Sequence, residues 1–185
     1  VVSYLRKWDL IASQRPDIIV AISHEVKNRI KKYYHRSSEV LYPPIDLPVL
    51  HTEKKRVVPK VGYLIVSRLS HFTKYKKIDL AIQVCNTLKL PLTIIGEGNW
   101  KVELQRMSGP TIQFVGSVSD KELAYYYHHA KALLFPGLED LGLTVIEAQS
   151  YGTPVIAYRG GGAIETMKEN ETGVFFNEQT SDSFI

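Results

Sequence analysis

The chain has 185 residues, of which 44% are hydrophobic and 23% charged, with a net charge of +4 and one cysteine. That is enough apolar material for a full core, and it excludes disordered, collagen-like and coiled-coil chains. No apolar run reaches the ~18–20 residues that span a bilayer, and a lone cysteine excludes an internal disulfide and any cysteine-rich zinc site.

Val1–Leu10 is helix-like, starts abruptly and has no apolar signal-peptide core. Asp17–Ile22 is a short β-rich run, after which Ser23 is placed to cap a helix over His24–Tyr34, with Val26, Ile30 and Tyr33 at helical spacing. Val40–Tyr42 reads as a brief strand stopped by Pro43 and Pro44. The stretch from His51 to Lys60 is polar and basic, a loop or boundary. Charge is unevenly spread: residues 1–60 hold 12 Lys and Arg against 6 Asp and Glu, whereas residues 61–185 hold 11 against 13. Lys27, Arg29, Lys31, Lys32 and Arg36 belong to the basic part. They read either as a solvated helix face or as a surface for anionic lipid or a phosphate-bearing partner. Without interleaved aromatic and basic residues, nucleic acid is not expected.

From residue 61 onward, strands and helices alternate. Strands are expected at Val61–Val66, Leu92–Ile95, Ile112–Val115, Ala132–Phe135, Pro154–Ala157 and Val174–Phe176. Helices are expected at Lys77–Lys89, Asn99–Met107, Asp120–Ala130, Gly142–Tyr151 and Ala163–Lys168. The strands are nearly all apolar, as in a sheet covered on both faces, and the β-α order implies right-handed crossovers and parallel strands. The fold class is therefore α/β, a Rossmann-like parallel sheet with helices on both faces. Cys85 falls within the apolar stretch Leu80–Leu88, which predicts a buried thiol in a reducing compartment. Ser181–Ile185 reads as a helix start with no helix following, so a fragment of a longer protein is expected. Its parts would be a basic N-terminal segment and connection, residues 1–60, and the Rossmann-like domain, residues 61–185, cut short at its C-terminal end.

In an open parallel sheet, ligands bind at the carboxyl ends of the strands. The residues following the strands are Ser67-Arg68-Leu69 with Lys74, Lys76 and Lys77 beyond, then Gly96-Glu97-Gly98, Gly116-Ser117-Val118, Pro136 to Gly142, and Arg159 to Gly162. Turn preference accounts for glycines but not for Arg68 and Glu139 on the same rim. Arg68, a lysine from Lys74–Lys77 and the N-terminus of a helix starting at Gly142 together suit a diphosphate. Glu139 and Glu147, eight residues apart, are carboxylates able to accept from paired sugar hydroxyls. A sugar on each side of a diphosphate describes a nucleotide sugar.

The run Phe135 to Ala148, containing Glu139 and Glu147, resembles the E-x7-E segment of the family 4 retaining glycosyltransferases, which have the two-domain GT-B architecture. Ser67-Arg68-Leu69, Ile95 to Gly98, Phe114 to Val118, Ser150 to Tyr158 and Gly161 to Val174 continue the similarity. Arg29 to Tyr34 with Val40 to Asp46 look most like mannosyltransferase-type members. The resemblance implies that Arg68 and Lys76 bind the donor diphosphate, that Glu139 contacts the transferred sugar, and that Glu147 contacts the ribose. It places backbone N–H donors at Leu141, Gly142 and Leu143, close backbone approach at Gly96 and Gly98, and the base against Ser117 and Val118. Leu141 stands where phenylalanine is common. Ser70-His71-Phe72-Thr73 lengthens its loop, so Lys74 could replace Lys76.

The implied reaction is hexose transfer with retained configuration from a nucleotide diphosphate sugar, GDP-mannose first, to a glycan or lipid-linked acceptor. Neither a metal nor another cofactor is expected. The acceptor would be held mainly by an N-terminal domain missing from this chain, which alone would bind donor weakly and transfer nothing. The implied location is cytoplasmic, peripheral on the inner membrane face if the basic segment meets lipid. Competing readings are another GT-B enzyme, such as a glycogen-synthase-like polymerase or an epimerase, and a noncatalytic nucleotide-sugar-binding module. A dehydrogenase is disfavoured because Ser67-Arg68-Leu69, not G-x-G-x-x-G, follows the first strand.

Overall fold

The computed structural model describes residues 2–45 and 60–185. The chain divides into two units, one ending at Ile45 and the other beginning at Asp46. The junction expected near residue 60 borders the stretch 46–59, and the His51–Lys60 loop, apart from Lys60, lies outside the described residues.

The first unit holds α1 (Val2–Ala12), β1 (Val20–Ala21), α2 (His24–Tyr34) and β2 (Glu39–Val40). Ser23 caps α2 as expected, its hydroxyl accepting from the Val26 N–H at 3.0 Å. β1 and β2 pair in parallel. The second strand is shorter than its apolar run: Leu41 and Tyr42 fall outside it, because Pro43 has no N–H and restricts the residue before it. Arg36 is not spread over a basic face. Its guanidinium donates to the carbonyls of Ser13 at 2.9 Å and Pro16 at 2.7 Å, tying the α1–β1 link to the end of α2. Lys31 and Lys32 are exposed.

The second unit is a six-stranded sheet: β3 (Tyr63–Val66), β4 (Leu92–Ile95), β5 (Ile112–Gly116), β6 (Ala132–Phe135), β7 (Val155–Tyr158) and β8 (Gly173–Phe176). The strand order is β5-β4-β3-β6-β7-β8, and every pair is parallel. This is the doubly wound order, in which the winding reverses between the first and fourth strands of the sheet. The helices are α3 (Ile78–Leu88), α4 (Lys101–Met107), α5 (Asp120–His129), α6 (Leu143–Ser150), α7 (Ala163–Thr166) and α8 (Ser181–Phe184), and a 3-10 helix covers His71–Lys76.

Two cores follow from strand alternation. Ile65, Ile94 and Leu134 face one side, where they pack with Ile82 and Cys85 of α3, Leu104 of α4 and Phe184 of α8. Leu64, Leu133 and Val155 face the other, with Tyr127 of α5, Val145 and Ala148 of α6 and Ala163 of α7. Burial pushes the Cys85 thiol up from its ordinary 9.0 to about 11, so it packs as a neutral apolar group. No described helix is long and apolar enough to cross a membrane.

Candidate functional site

The reversal point lies between β3 and β6. Their following loops diverge there and leave a crevice at the carboxyl edge. Arg68 leaves β3, and Glu139 leaves β6, so the sheet order itself brings the two together at this edge.

On the β3 side the chain turns at Ser67 and Arg68 into the 3-10 helix, which takes up the residues that lengthen this loop. Ser70 and Thr73 form a capping box around it. Thr73 is buried, and its hydroxyl lies 2.9 Å from the Arg68 carbonyl and 2.8 Å from that of Ser70. The Asn99 side chain accepts from the His71 N–H at 3.0 Å. This element separates the two candidate lysines. Lys76 turns inward, its Nζ 2.9 Å from Glu139 Oε1. Lys74 instead sits over the Trp100 ring, 5.4 Å from its centroid. Arg68 is exposed.

On the β6 side Glu139 belongs to the loop, not to a helix, so helical phase does not relate it to Glu147. Gly142 is the N-cap of α6, in the left-handed region at φ 80°, and Leu141 before it is buried. Leu143 is exposed. Glu147 lies on α6, where its Oε2 accepts from the Tyr127 hydroxyl at 2.8 Å. Tyr127 is 1% exposed. Desolvation first, then the Glu147 charge and hydrogen bond, push its phenol far above the ordinary range, so it remains a donor. Sequence reasoning missed this partner; the apolar setting of Glu147 was the one signal for it.

The loops after β4 and β5 complete the crevice. Gly96 has φ 140°, and a Cβ there would stand 1.8 Å from the Ser67 carbonyl oxygen; at Gly98, with φ 153°, it would stand 2.0 Å from that of Leu69. These two glycines therefore let the β4 loop lie directly against the β3 loop, where Leu69 N–H donates to Glu97 O at 2.9 Å. On the side a Cβ would occupy, the closely approaching backbone is the protein's own. Glu97 pairs with Lys101 at 2.8 Å. Arg159, also on the rim, is held by Glu169 and Asn177 beside the Phe175 ring.

The crevice has a volume of about 570 Å³, and Arg68, Lys76, Gly96, Ser117 and Val118 line it. Glu97, from the rim segment already singled out, lines it too, as do Thr73, Tyr75, Leu123 and Thr144, which were given no role there. Glu139 reaches it through Lys76. Gly98, Leu141, Gly142, Leu143 and Glu147 do not line this cavity. Among the described residues no cluster of three metal-ligating side chains occurs. A crevice with a cation on one lip and an ammonium–carboxylate pair across it can take an anion and hydroxyl-bearing groups side by side.

The family model for glycosyl transferases group 1 matches residues 51–185. A mannosyltransferase of Mycolicibacterium smegmatis, named as GDP-mannose-dependent and acting on phosphatidylinositol monomannoside, is 31% identical over 85% of this chain and 48% of its own length. An uncharacterised protein of the Klebsiella pneumoniae cps region is 28% identical over 86% of this chain and 44% of its own. In fold, Anabaena HepE, solved with UDP and glucose, superimposes with a TM-score of 0.76 at 17% identity, over 96% of this chain and 54% of HepE. The chain thus spans about half the length of these relatives.

Proposed function

The chain belongs to the glycosyl transferases group 1 family, and from that premise we propose that its sheet unit is the donor-binding part of a retaining hexosyltransferase. The donor is a nucleotide diphosphate sugar, GDP-mannose first, because the mycobacterial relative is named for it. The acceptor is a glycan or a lipid-linked sugar, met mainly by parts of the protein outside this chain, on the cytoplasmic side of the membrane. The exposed lysines of α2 are the candidate contact with anionic lipid.

The observation that carries this reading is the meeting of Arg68, Lys76 and Glu139 at the reversal point of the sheet. Arg68 and Lys76 hold the diphosphate and stabilise the negative charge that it gains as leaving group, without reorganising as charge develops. Glu139 accepts from hydroxyls of the transferred sugar. Tyr127 holds one oxygen of Glu147, which leaves the other for the ribose. The base lies against Ser117 and Val118, and the Leu143 and Thr144 N–H groups that open α6 face the anion. No divalent metal takes part in this reading.

Calorimetry of this chain with GDP, UDP, ADP and their sugars tests it. At least one nucleoside diphosphate should bind, equally well in EDTA and in Mg²⁺. Arg68→Ala should weaken it by about 1.5–3 kcal/mol, the loss of one charge-assisted contact, with little change in melting temperature. Absence of binding at millimolar ligand, or a strict metal requirement, would overturn the reading.

A further inference from the structure

The Lys76–Glu139 pair is a built feature. Its side chains are 19% and 21% exposed, and the Nζ–Oε1 distance is 2.9 Å. Both backbones are fixed by neighbours. A Cβ on Gly137 would stand 2.5 Å from the Lys76 Cα, so the β6 loop presses directly on the 3-10 helix. The Glu139 carbonyl accepts from the Gly162 N–H at 2.8 Å. The carboxylate therefore cannot drift far from the ammonium.

We propose that Glu139 is a built-in competitor for the donor diphosphate, making the crevice favour the intact nucleotide sugar over the free nucleoside diphosphate. The inference rests on the donor-site reading above and adds a selectivity to it. An ammonium has three donors, so an incoming phosphate either displaces Glu139 from Lys76 or shares the lysine with it. In both geometries a fixed carboxylate stays within a few ångströms of the phosphate, in a partly desolvated crevice where like charges repel. A nucleotide sugar compensates this, because its hydroxyls donate to the carboxylate that Lys76 has released. A nucleoside diphosphate has no hydroxyl beyond its terminal phosphate and leaves Glu139 with less than it had. Once the sugar has been transferred, the carboxylate again competes for Lys76, which favours departure of the spent nucleotide.

The deciding variant is Glu139→Gln, which keeps shape and removes charge. GDP, UDP and inorganic pyrophosphate should bind to it about three- to tenfold more tightly than to the unaltered chain, while GDP-mannose or UDP-glucose should gain nothing or weaken. Glu139→Ala should shift the same preference in the same direction, should the glutamine variant fail to fold. Glu97→Gln removes a crevice carboxylate that is paired with Lys101, and it should leave the preference between sugar-bearing and sugar-free ligands unchanged. Unchanged or weaker binding of GDP, UDP and pyrophosphate to both Glu139 variants would overturn the inference while leaving the donor site standing. An equal gain in Glu97→Gln would overturn it as well, by reducing the effect to general charge. If the unaltered chain binds none of the ligands, the donor-site reading falls first and takes this inference with it.

Discussion

The loops after β3 and after β6 face each other across the same crevice but are stabilised in different ways. The β3 loop carries its own caps as well as bonds to the β4 loop: Ser70 and Thr73 cap the 3-10 helix, and Thr73 bonds back to the carbonyls of Arg68 and Ser70. The β6 loop is tied to residues distant in the chain, the Gln179 side chain among them, which donates to the Pro136 carbonyl at 2.8 Å. Glycines from elsewhere hold it, Gly162 donating to the Glu139 carbonyl and lying against Leu141. The cations thus sit on an element encoded locally, whereas the carboxylate sits on a loop positioned by distant sequence. A substitution far along the chain can therefore move the anionic half of the site and leave the cationic half in place.

Two glycine variants break this arrangement on opposite sides. Gly96→Ala should be the most damaging change. It forces alanine to φ 140° with its Cβ 1.8 Å from the Ser67 oxygen. Strain and overpacking together should cost about 2–6 kcal/mol, and thermal melting should show most of the sheet unit's stability lost. Gly162→Ala has an ordinary φ of −66°, but its Cβ would stand 2.2 Å from the Leu141 Cα. Overpacking alone should cost about 1–3 kcal/mol. The variant should still fold and bind pyrophosphate through Arg68 and Lys76, but lose its preference for sugar-bearing ligands. Equal loss of both would show that the two loops move as one body.

The second comparison lies within the β6 side, between Glu139 and Glu147. Glu147→Ala leaves the buried Tyr127 hydroxyl without its acceptor. It should cost about 1–3 kcal/mol of stability, read by denaturant melting, in addition to weakening nucleotide binding. Tyr127→Phe removes donor and need together and should cost less stability. It should also loosen discrimination between ribose and 2′-deoxyribose nucleotides, which a purely structural tyrosine would not affect. Full stability in Glu147→Ala would show that the tyrosine finds another partner.

Much of this architecture was legible in the sequence, for identifiable reasons. Leu92–Ile95 and Ala132–Phe135 are apolar runs bounded by turn residues, and both strands match their predicted limits. α2 matches as well, because Ser23 caps it and Ile30 anchors its buried face. The rim residues could be found because strand ends in a parallel sheet define one edge. What stayed hidden depends on contacts distant in sequence. Nothing local in Tyr127 announces Glu147, twenty residues away. Nor does Gly96 reveal that a side chain there would meet the Ser67 carbonyl. The 3-10 helix was encoded locally in Ser70 and Thr73 but was obscured by the irregular residues between them.

The finest test concerns the two lysines of that 3-10 helix, which the sequence alone left interchangeable. They lie two residues apart, so on three residues per turn they cannot share a face. Lys76 is directed at Glu139, and Lys74 at the Trp100 ring. Lys76→Ala should weaken a bound nucleoside diphosphate by about 1.5–3 kcal/mol, reduced by whatever Glu139 had been withholding from the phosphate. Lys74→Ala should remove only an exposed cation–π contact, about 0.5–1 kcal/mol of stability, and leave affinity within twofold of the unaltered chain. Calorimetry on the two variants, with melting temperatures measured alongside, reads both effects. A binding loss confined to Lys74→Ala would mean that the 3-10 helix turns over when the donor arrives. The β3 loop would then be the movable side of the crevice, and the contrast between the two loops would be reversed.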